Sequence, residues 1–201
     1  SSDMKIHILG IGGTFMAGVA IIAKEMGYDV TGSDTNLYDP MKTVLINNKI
    51  SFTENYNSKT LDNKYDLIIV GNVMTRGMDI IEKLLDKKIP FTSGPEWLYD
   101  NVLSKKTVIA ISGTHGKTTT SSLVTHILKY AKKNPSYLIG GLPIGIKSPA
   151  KLTNSEYFVI EADEYDTAFF DKRSKYLHYH PNVMVINNIE FDHADIFENI
   201  E

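Results

Sequence analysis

A β-branched, apolar run from Thr107 to Ile111 enters Ser112-Gly113-Thr114-His115-Gly116-Lys117-Thr118, and an apolar-periodic segment follows. No other feature of the chain constrains its fold as strongly. Backbone amides can converge on phosphate oxygens only where no Cβ intervenes. A helix start adds aligned N–H groups and a dipole that favour an anion. Lys117 supplies a mobile positive charge for β and γ phosphates, and Thr118 offers a hydroxyl to Mg2+. The segment therefore reads as the phosphate loop of an ATP site, although the general P-loop pattern places glycine where this chain has Ile111. The helix after the loop is expected to present Leu123, Val124, Ile127, Leu128 and Ala131 on one face.

The rest of the chain repeats this strand–loop–helix grammar. Lys5 to Leu9 runs into Gly10-Ile11-Gly12-Gly13, and Thr14 to Met26 carries Phe15, Val19, Ile22 and Met26 at helical spacing before Gly27. Tyr28 to Thr31 leads to Gly32-Ser33-Asp34, and Tyr65 to Val70 leads to Gly71-Asn72. A helix over Asp79 to Lys87, a strand over Ile89 to Thr92 and a helix opened by Ser93-Gly94-Pro95 follow. Beyond the phosphate loop, Tyr157 to Ile160 ends in Glu161-Ala162-Asp163-Glu164. Val183 to Ile186 ends in Asn187-Asn188, with Asp192-His193 after it. This alternation predicts an α/β chain with parallel, doubly wound sheets. Ser1 to Asp3 read as a cloning scar and residues 4–105 as a Rossmann-like domain. Residues 106–201 read as the first part of a P-loop α/β ATPase domain, within which the chain ends.

The Gly10 turn permits two ligands. It resembles a dinucleotide turn, with Asp34 placed for a ribose hydroxyl, but the third glycine of G-x-G-x-x-G would fall at Phe15. The same geometry suits the diphosphate and uridine of a UDP-sugar. In the second unit, Glu161 at a strand end is expected beside the phosphate loop, where it can join Thr118 and ATP in holding Mg2+. His7, His126, His178 and His180 have no partner evident in sequence and read as structural. His115 is expected to act through its backbone amide.

Composition narrows the partners. A formal net charge of −3 gives no bulk attraction to nucleic acid or an acidic membrane. There is no Cys, which excludes disulfides and thiolate metal sites and fits a cytoplasmic location. No apolar run approaches the roughly 20 residues of a membrane helix, so no membrane insertion is expected.

Gly113-Thr114-x-Gly116-Lys117-Thr118-Thr119 after a buried strand resembles the ATP loop of the Mur ligases, which build and recycle the peptide stem of bacterial peptidoglycan. Gly10-Ile11-Gly12-Gly13 with Met16 resembles that family's UDP-sugar domain. Glu161-Ala162-Asp163-Glu164 resembles its acidic segment, and Asn188-Ile189-Glu190 with Asp192-His193 and Asp195 resembles its metal-binding strand end. The resemblance implies UDP-sugar contacts from Gly10, Gly12, Gly13, Thr14, Phe15, Met16, Asp34, Asn72 and Arg76. It implies ATP contacts from Gly113, Thr114, His115, Gly116, Lys117, Thr118, Thr119 and Asn188. Metal ligation falls to Thr118, Glu161 and His193, and catalysis to Lys117, Glu161 and His193.

Two kinds of Mur ligase share these features: one adds L-alanine to UDP-N-acetylmuramate, the other a recycled tripeptide. Asn72 to Gly77, Ser93 to Leu98 and Glu161 to Ser174 look like the tripeptide-adding kind, whereas Gly12 matches the alanine-adding kind. A nicotinamide oxidoreductase or a regulatory ATP-binding module would instead bind NADH, or ATP without UDP-sugar. Because the family continues through further strands to a closing domain, this chain alone is expected to be inactive.

Overall fold

The first half of the chain builds β1 (Lys5–Leu9), α1 (Thr14–Glu25), β2 (Asp29–Ser33), α2 (Met41–Asn47), β3 (Ser51–Thr53), β4 (Leu67–Val70), α3 (Asp79–Asp86), β5 (Phe91–Ser93) and α4 (Gly94–Asn101). The structure is a computed structural model describing residues 4–113, 115–141, 147–162 and 166–187. The five strands pair in parallel in the order β3-β2-β1-β4-β5. Strand order therefore reverses at β1, and the crevice at that switch point opens beyond the carboxyl ends of β1 and β4. Ser93 caps α4 by accepting from Glu96 N at 3.2 Å, with Pro95 in the first turn, as the sequence implied.

The second half builds β6 (Thr107–Ser112), α5 (Lys117–Tyr130), β7 (Ser136–Leu138), β8 (Ala150–Lys151), β9 (Tyr157–Glu161), β10 (Asp166–Ala168), β11 (Asp171–Ser174), α6 (Lys175–Tyr179) and β12 (Val183–Ile186). Its main sheet runs β12-β6-β9-β7-β8, parallel except for β7 with β8, while β10 and β11 form a separate hairpin. Among the described residues, no helix is long and apolar enough to cross a membrane.

One helix joins the two sheets. The spacing of Phe15, Val19, Ile22 and Met26 predicts a one-sided helix, yet α1 is buried without a break from Met16 to Ala23. The reason is that it is covered twice. One side packs on the first sheet and the other meets β7 and β8, where a Cβ on Gly18 would lie 2.9 Å from Leu138 Cγ. Ala17, Ala20 and Ala23 let both neighbours come close. Leu152 N donates to Glu25 Oε2 at 2.6 Å, fixing the far end of the helix. A single apolar cluster consequently runs from Ile6 and Ile8 through Val19 and Ile22 to Val108, Phe158 and Ile160.

The expected apolar face of α5 is corrected. Leu123 and Ile127 are 56% and 55% exposed. Val124 and Leu128 do pack on the sheet, as expected, but the residues buried beside them are Ser121 and Thr125. Two hydroxyls tolerate that face because each donates to a carbonyl in the preceding turn: Ser121 Oγ to Thr118 O at 3.1 Å and Thr125 Oγ1 to Ser121 O at 2.8 Å.

His7 is structural, as its sequence suggested. It is 1% exposed, bonded to Thr31 Oγ1 at 2.6 Å and Ser33 Oγ at 2.7 Å, and stacked on Tyr65. Burial pushes its imidazole down to about 4. The folded state thus holds the ring neutral, whereas the unfolded chain protonates it near its ordinary value of 6.5. Its contribution is complete above 6.5 and is lost as pH falls toward about 4, a loss of roughly 3 kcal/mol over that window. Urea unfolding at stepped pH should show wild-type stability falling more steeply there than that of His7→Gln. Parallel slopes would contradict this account.

Candidate active site

A cleft of about 340 Å³ lies at the carboxyl ends of both sheets, lined by Gly10, Gly13 and Asn72 on one side and by Lys117, Thr118 and Glu161 on the other. On the first side, β1 delivers the glycine turn. Gly10 takes a φ of +85° that suits glycine, and its N–H donates to Ser33 O at 2.9 Å. Asp34, 6% exposed, accepts from Gly12 N at 2.7 Å, Asn36 N at 3.0 Å and Tyr56 Oη at 3.1 Å. Burial, together with the negative charge of Asp34, pushes the Tyr56 hydroxyl above its ordinary value. Thr14, Phe15 and Met16 open α1 at the cleft wall, so the free N–H groups and positive dipole end of a 12-residue helix lie at the cleft.

On the second side, the Lys117 loop is shaped by its neighbour across the sheet. Gly113 has a φ of +138° and Gly116 a φ of +75°. Both back onto Asn187, which follows β12: a Cβ on Gly113 would collide with the Asn187 carbonyl, and one on Gly116 would lie 2.8 Å from its Nδ2. Asn187 N donates to Ser112 O at 2.8 Å, and its Nδ2 donates to Thr120 Oγ1 at 2.9 Å. Glu161, 7% exposed at the end of β9, accepts from Thr118 Oγ1 at 2.8 Å. Gly140 leaves room for that carboxylate, since a Cβ there would press on Glu161 Oε2.

The residues singled out by sequence divide into groups. Gly10, Gly13, Thr14, Phe15, Met16, Asp34, Asn72, Lys117, Thr118 and Glu161 share the one cleft. Gly12 donates its backbone N–H to Asp34, and Gly113, Gly116 and Thr119 belong to the loop and helix that carry Lys117. His115 is exposed. Arg76 lies outside the cleft lining, forked onto Glu82 with Nε and Nη2 at 2.8 and 3.0 Å on an exposed surface. Thr114, Asn188 and His193 fall outside the described residues, as do Asp163 and Glu164. Sequence reasoning missed Val73, Pro95, Leu138, Gly140, Thr167 and Lys175 in the lining. The Gly140-Gly141 pair after a short apolar run was a readable signal, whereas nothing local marked Lys175.

Residues 5–106 match the family model described as "Mur ligase family, catalytic domain", and residues 111–201 match "Mur ligase middle domain". Over 198 residues the chain is 52% identical to the UDP-N-acetylmuramate–L-alanyl-γ-D-glutamyl-meso-2,6-diaminoheptandioate ligase of Escherichia coli (strain K12), covering 98% of this chain and 43% of that protein. It is 38% identical to a UDP-N-acetylmuramate–L-alanine ligase of Buchnera aphidicola, covering 98% of this chain and 39% of that one. The crystal structure of the tripeptide ligase from Neisseria meningitides superposes with a TM-score of 0.89 at 50% identity, covering 97% of this chain and 63% of that one. The chain thus spans less than half the length of the curated relatives it matches. Matched in its two halves by successive domains of one family, and sharing that family's fold at high identity, the chain belongs to the Mur ligase family.

Proposed function

We propose that the full-length protein joins the lactyl carboxylate of UDP-N-acetylmuramate to the tripeptide L-alanyl-γ-D-glutamyl-meso-diaminopimelate, converting ATP to ADP and phosphate, in cytoplasmic peptidoglycan recycling. The observation that carries this reading is the single cleft shared by the Gly10 turn and the Lys117 loop. A nicotinamide oxidoreductase would leave the second of these without a task. The carboxylate oxygen attacks the γ-phosphorus, ADP leaves, and an acyl phosphate forms. The alanine amine then attacks the acyl carbon, phosphate leaves, and the amine gives up a proton as the amide forms.

Both reactants of the first step are anions, so the protein has to position them and offset their charge. Lys117 and the amides at the start of α5 serve the γ-phosphate. The Gly10 turn and the start of α1 serve the UDP-sugar diphosphate, and Asp34 and Asn72 serve its nucleoside or sugar side. Thr118 and Glu161 fit Mg2+, because they place a hydroxyl and a carboxylate 2.8 Å apart and leave the remaining positions to phosphate and water. The bound ion would supply charge neutralisation at the phosphates.

The test is phosphate release by the full-length protein given ATP, UDP-N-acetylmuramate and either the tripeptide or L-alanine. Release that requires the tripeptide is expected; release with L-alanine alone would move the protein to the alanine-adding kind. Gly140→Ala gives a second check, because its methyl group would push the Glu161 carboxylate away from Thr118. A misplacement of this order should lower kcat/KM for ATP roughly a hundredfold while leaving Tm nearly unchanged. Normal kinetics would remove Glu161 from the proposed chemistry.

A further inference from the structure

A second cavity, of about 350 Å³, adjoins the cleft and shares Gly13, Asp34 and Val73 with it. The rest of its lining comes from the first half of the chain, so it lies on the side of the cleft away from Lys117. Tyr56, Val73 and Met78 supply apolar surface, and Asp34, Thr35 and Asn36 supply polar groups. Among the described residues no cation lines it, and its one carboxylate is that of Asp34. Tyr56 enters from just beyond β3. Its ring and the Met78 side chain both pack against the apolar cluster of Leu9, Ile68 and Val70, and its hydroxyl donates to Asp34 Oδ1 at 3.1 Å. The same oxygen accepts from Asn36 N at 3.0 Å, while Oδ2 accepts from Gly12 N at 2.7 Å. Asp34 N donates to Thr53 O at 3.1 Å, which ties the end of β2 to β3.

A nucleotide sugar of the kind the ligase reading requires is linear: nucleoside, diphosphate, sugar, lactyl carboxylate. Its carboxylate has to reach the γ-phosphate at Lys117, and its diphosphate is drawn to the start of α1. The nucleoside then falls at the end of the cleft away from Lys117, where this cavity lies. Charge agrees, because a cavity holding a carboxylate and no cation disfavours a phosphate or lactyl group and suits an uncharged base and ribose. Each oxygen of a carboxylate accepts through two lone pairs. On Asp34, Asn36 N and Tyr56 Oη take both positions of Oδ1, and Gly12 N takes one of Oδ2. The other position of Oδ2 is the one that suits an arriving hydroxyl. We propose that Tyr56 is a positioning residue of the nucleotide-sugar site: it occupies Asp34 Oδ1, so that Oδ2 meets a ribose hydroxyl, and its ring bounds the space for the base. This inference rests on the ligase reading and adds to it the residue that aims Asp34. Without the Tyr56 hydroxyl a second acceptor position opens on Oδ1, and the carboxylate loses the donor that fixes its rotation.

The experiment is calorimetric titration of the full-length protein, without ATP, using UDP-N-acetylmuramate, UDP, and the 2′-deoxy and 3′-deoxy forms of UDP. Tyr56→Phe keeps the ring and removes the hydroxyl. It should weaken UDP-N-acetylmuramate and UDP in parallel, by roughly five- to tenfold, with ATP affinity unchanged in a separate titration. Wild-type protein should bind one of the deoxy forms roughly tenfold more weakly than UDP, because that form lacks the hydroxyl that Asp34 accepts. In Tyr56→Phe the gap between UDP and that deoxy form should shrink, since the carboxylate is no longer aimed at the hydroxyl. Unchanged UDP affinity in Tyr56→Phe overturns the proposal. So does an equal loss for UDP and both deoxy forms, which would make Tyr56 a packing residue. A loss confined to UDP-N-acetylmuramate would put Tyr56 at the sugar end, and wild-type protein indifferent to both deoxy forms would leave Asp34 no ribose contact; either result overturns it as well. Wild-type protein that binds neither UDP nor UDP-N-acetylmuramate would instead count against the ligase reading itself.

Discussion

In the full-length protein, Lys117→Ala should lower the turnover of ATP about a thousandfold or more while UDP-N-acetylmuramate still binds within a few-fold of its wild-type affinity. The first half of this expectation follows from charge. A carboxylate approaching a γ-phosphate is repelled, and a fixed ammonium at the developing negative charge relieves that repulsion in the transition state more than in the ground state. Losses of this size are ordinary where one cation of a phosphoryl-transfer site is removed. The second half follows from placement. Lys117 begins α5 beyond β6, whereas the Gly10 turn, Asp34 and Asn72 follow strands of the other sheet, although all of them line one cleft. Phosphate release and calorimetry on the same preparation separate the two effects. Loss of UDP-sugar binding together with ATP binding would show that the two ligands share the lysine, and the division of the cleft into two subsites would be wrong.

How much of this was legible in the sequence depended on whether the signal was local. The Gly10 turn and the Lys117 loop each follow a buried strand and open a helix, so a short window contains the whole motif. Both turns appear where that window implied. Asp34 was legible for the same reason, since the end of β2 beside a glycine turn is a place for a carboxylate. The helix faces were less so. Periodicity records which residues are apolar and is silent on what covers them. Hence α1 proved buried all along its middle, while on α5 the sheet covers Ser121 and Thr125 and leaves Leu123 and Ile127 exposed. The segments missed altogether, α2, β3, β7, β8, the β10–β11 hairpin and α6, have seven residues or fewer. Short strands of this kind are held by pairing with distant neighbours and carry little pattern of their own. Lys175 was invisible because its place depends on a hairpin docking onto the other sheet. Arg76 shows the converse: a cation beside a candidate loop is drawn to Glu82, a partner that linear reading did not weigh.

Among the described glycines, Gly113→Ala should be the most damaging change, and Gly77→Ala shows why conformation alone does not explain it. Both glycines have positive φ, +138° at Gly113 and +94° at Gly77, so alanine is strained at either position. At Gly77 the added Cβ would meet nothing within 4 Å. That substitution should therefore cost about 1 kcal/mol of backbone strain. At Gly113 the Cβ would run into the backbone carbonyl of Asn187, with the carbonyl carbon 2.9 Å away. Backbone cannot step aside as the end of a side chain can, and Asn187 is tied on both sides, to Ser112 through its amide and to Thr120 through its side chain. Either β12 parts from β6 or the phosphate loop leaves its cradle, and strain plus collision should cost roughly 3 kcal/mol or more. Two measurements discriminate. Urea unfolding should place Gly113→Ala well below Gly77→Ala in stability, and ATP titration should show affinity lost in the first and kept in the second. Equal stability of the two variants, with ATP affinity intact in both, would mean that the loop and Asn187 are not packed as described.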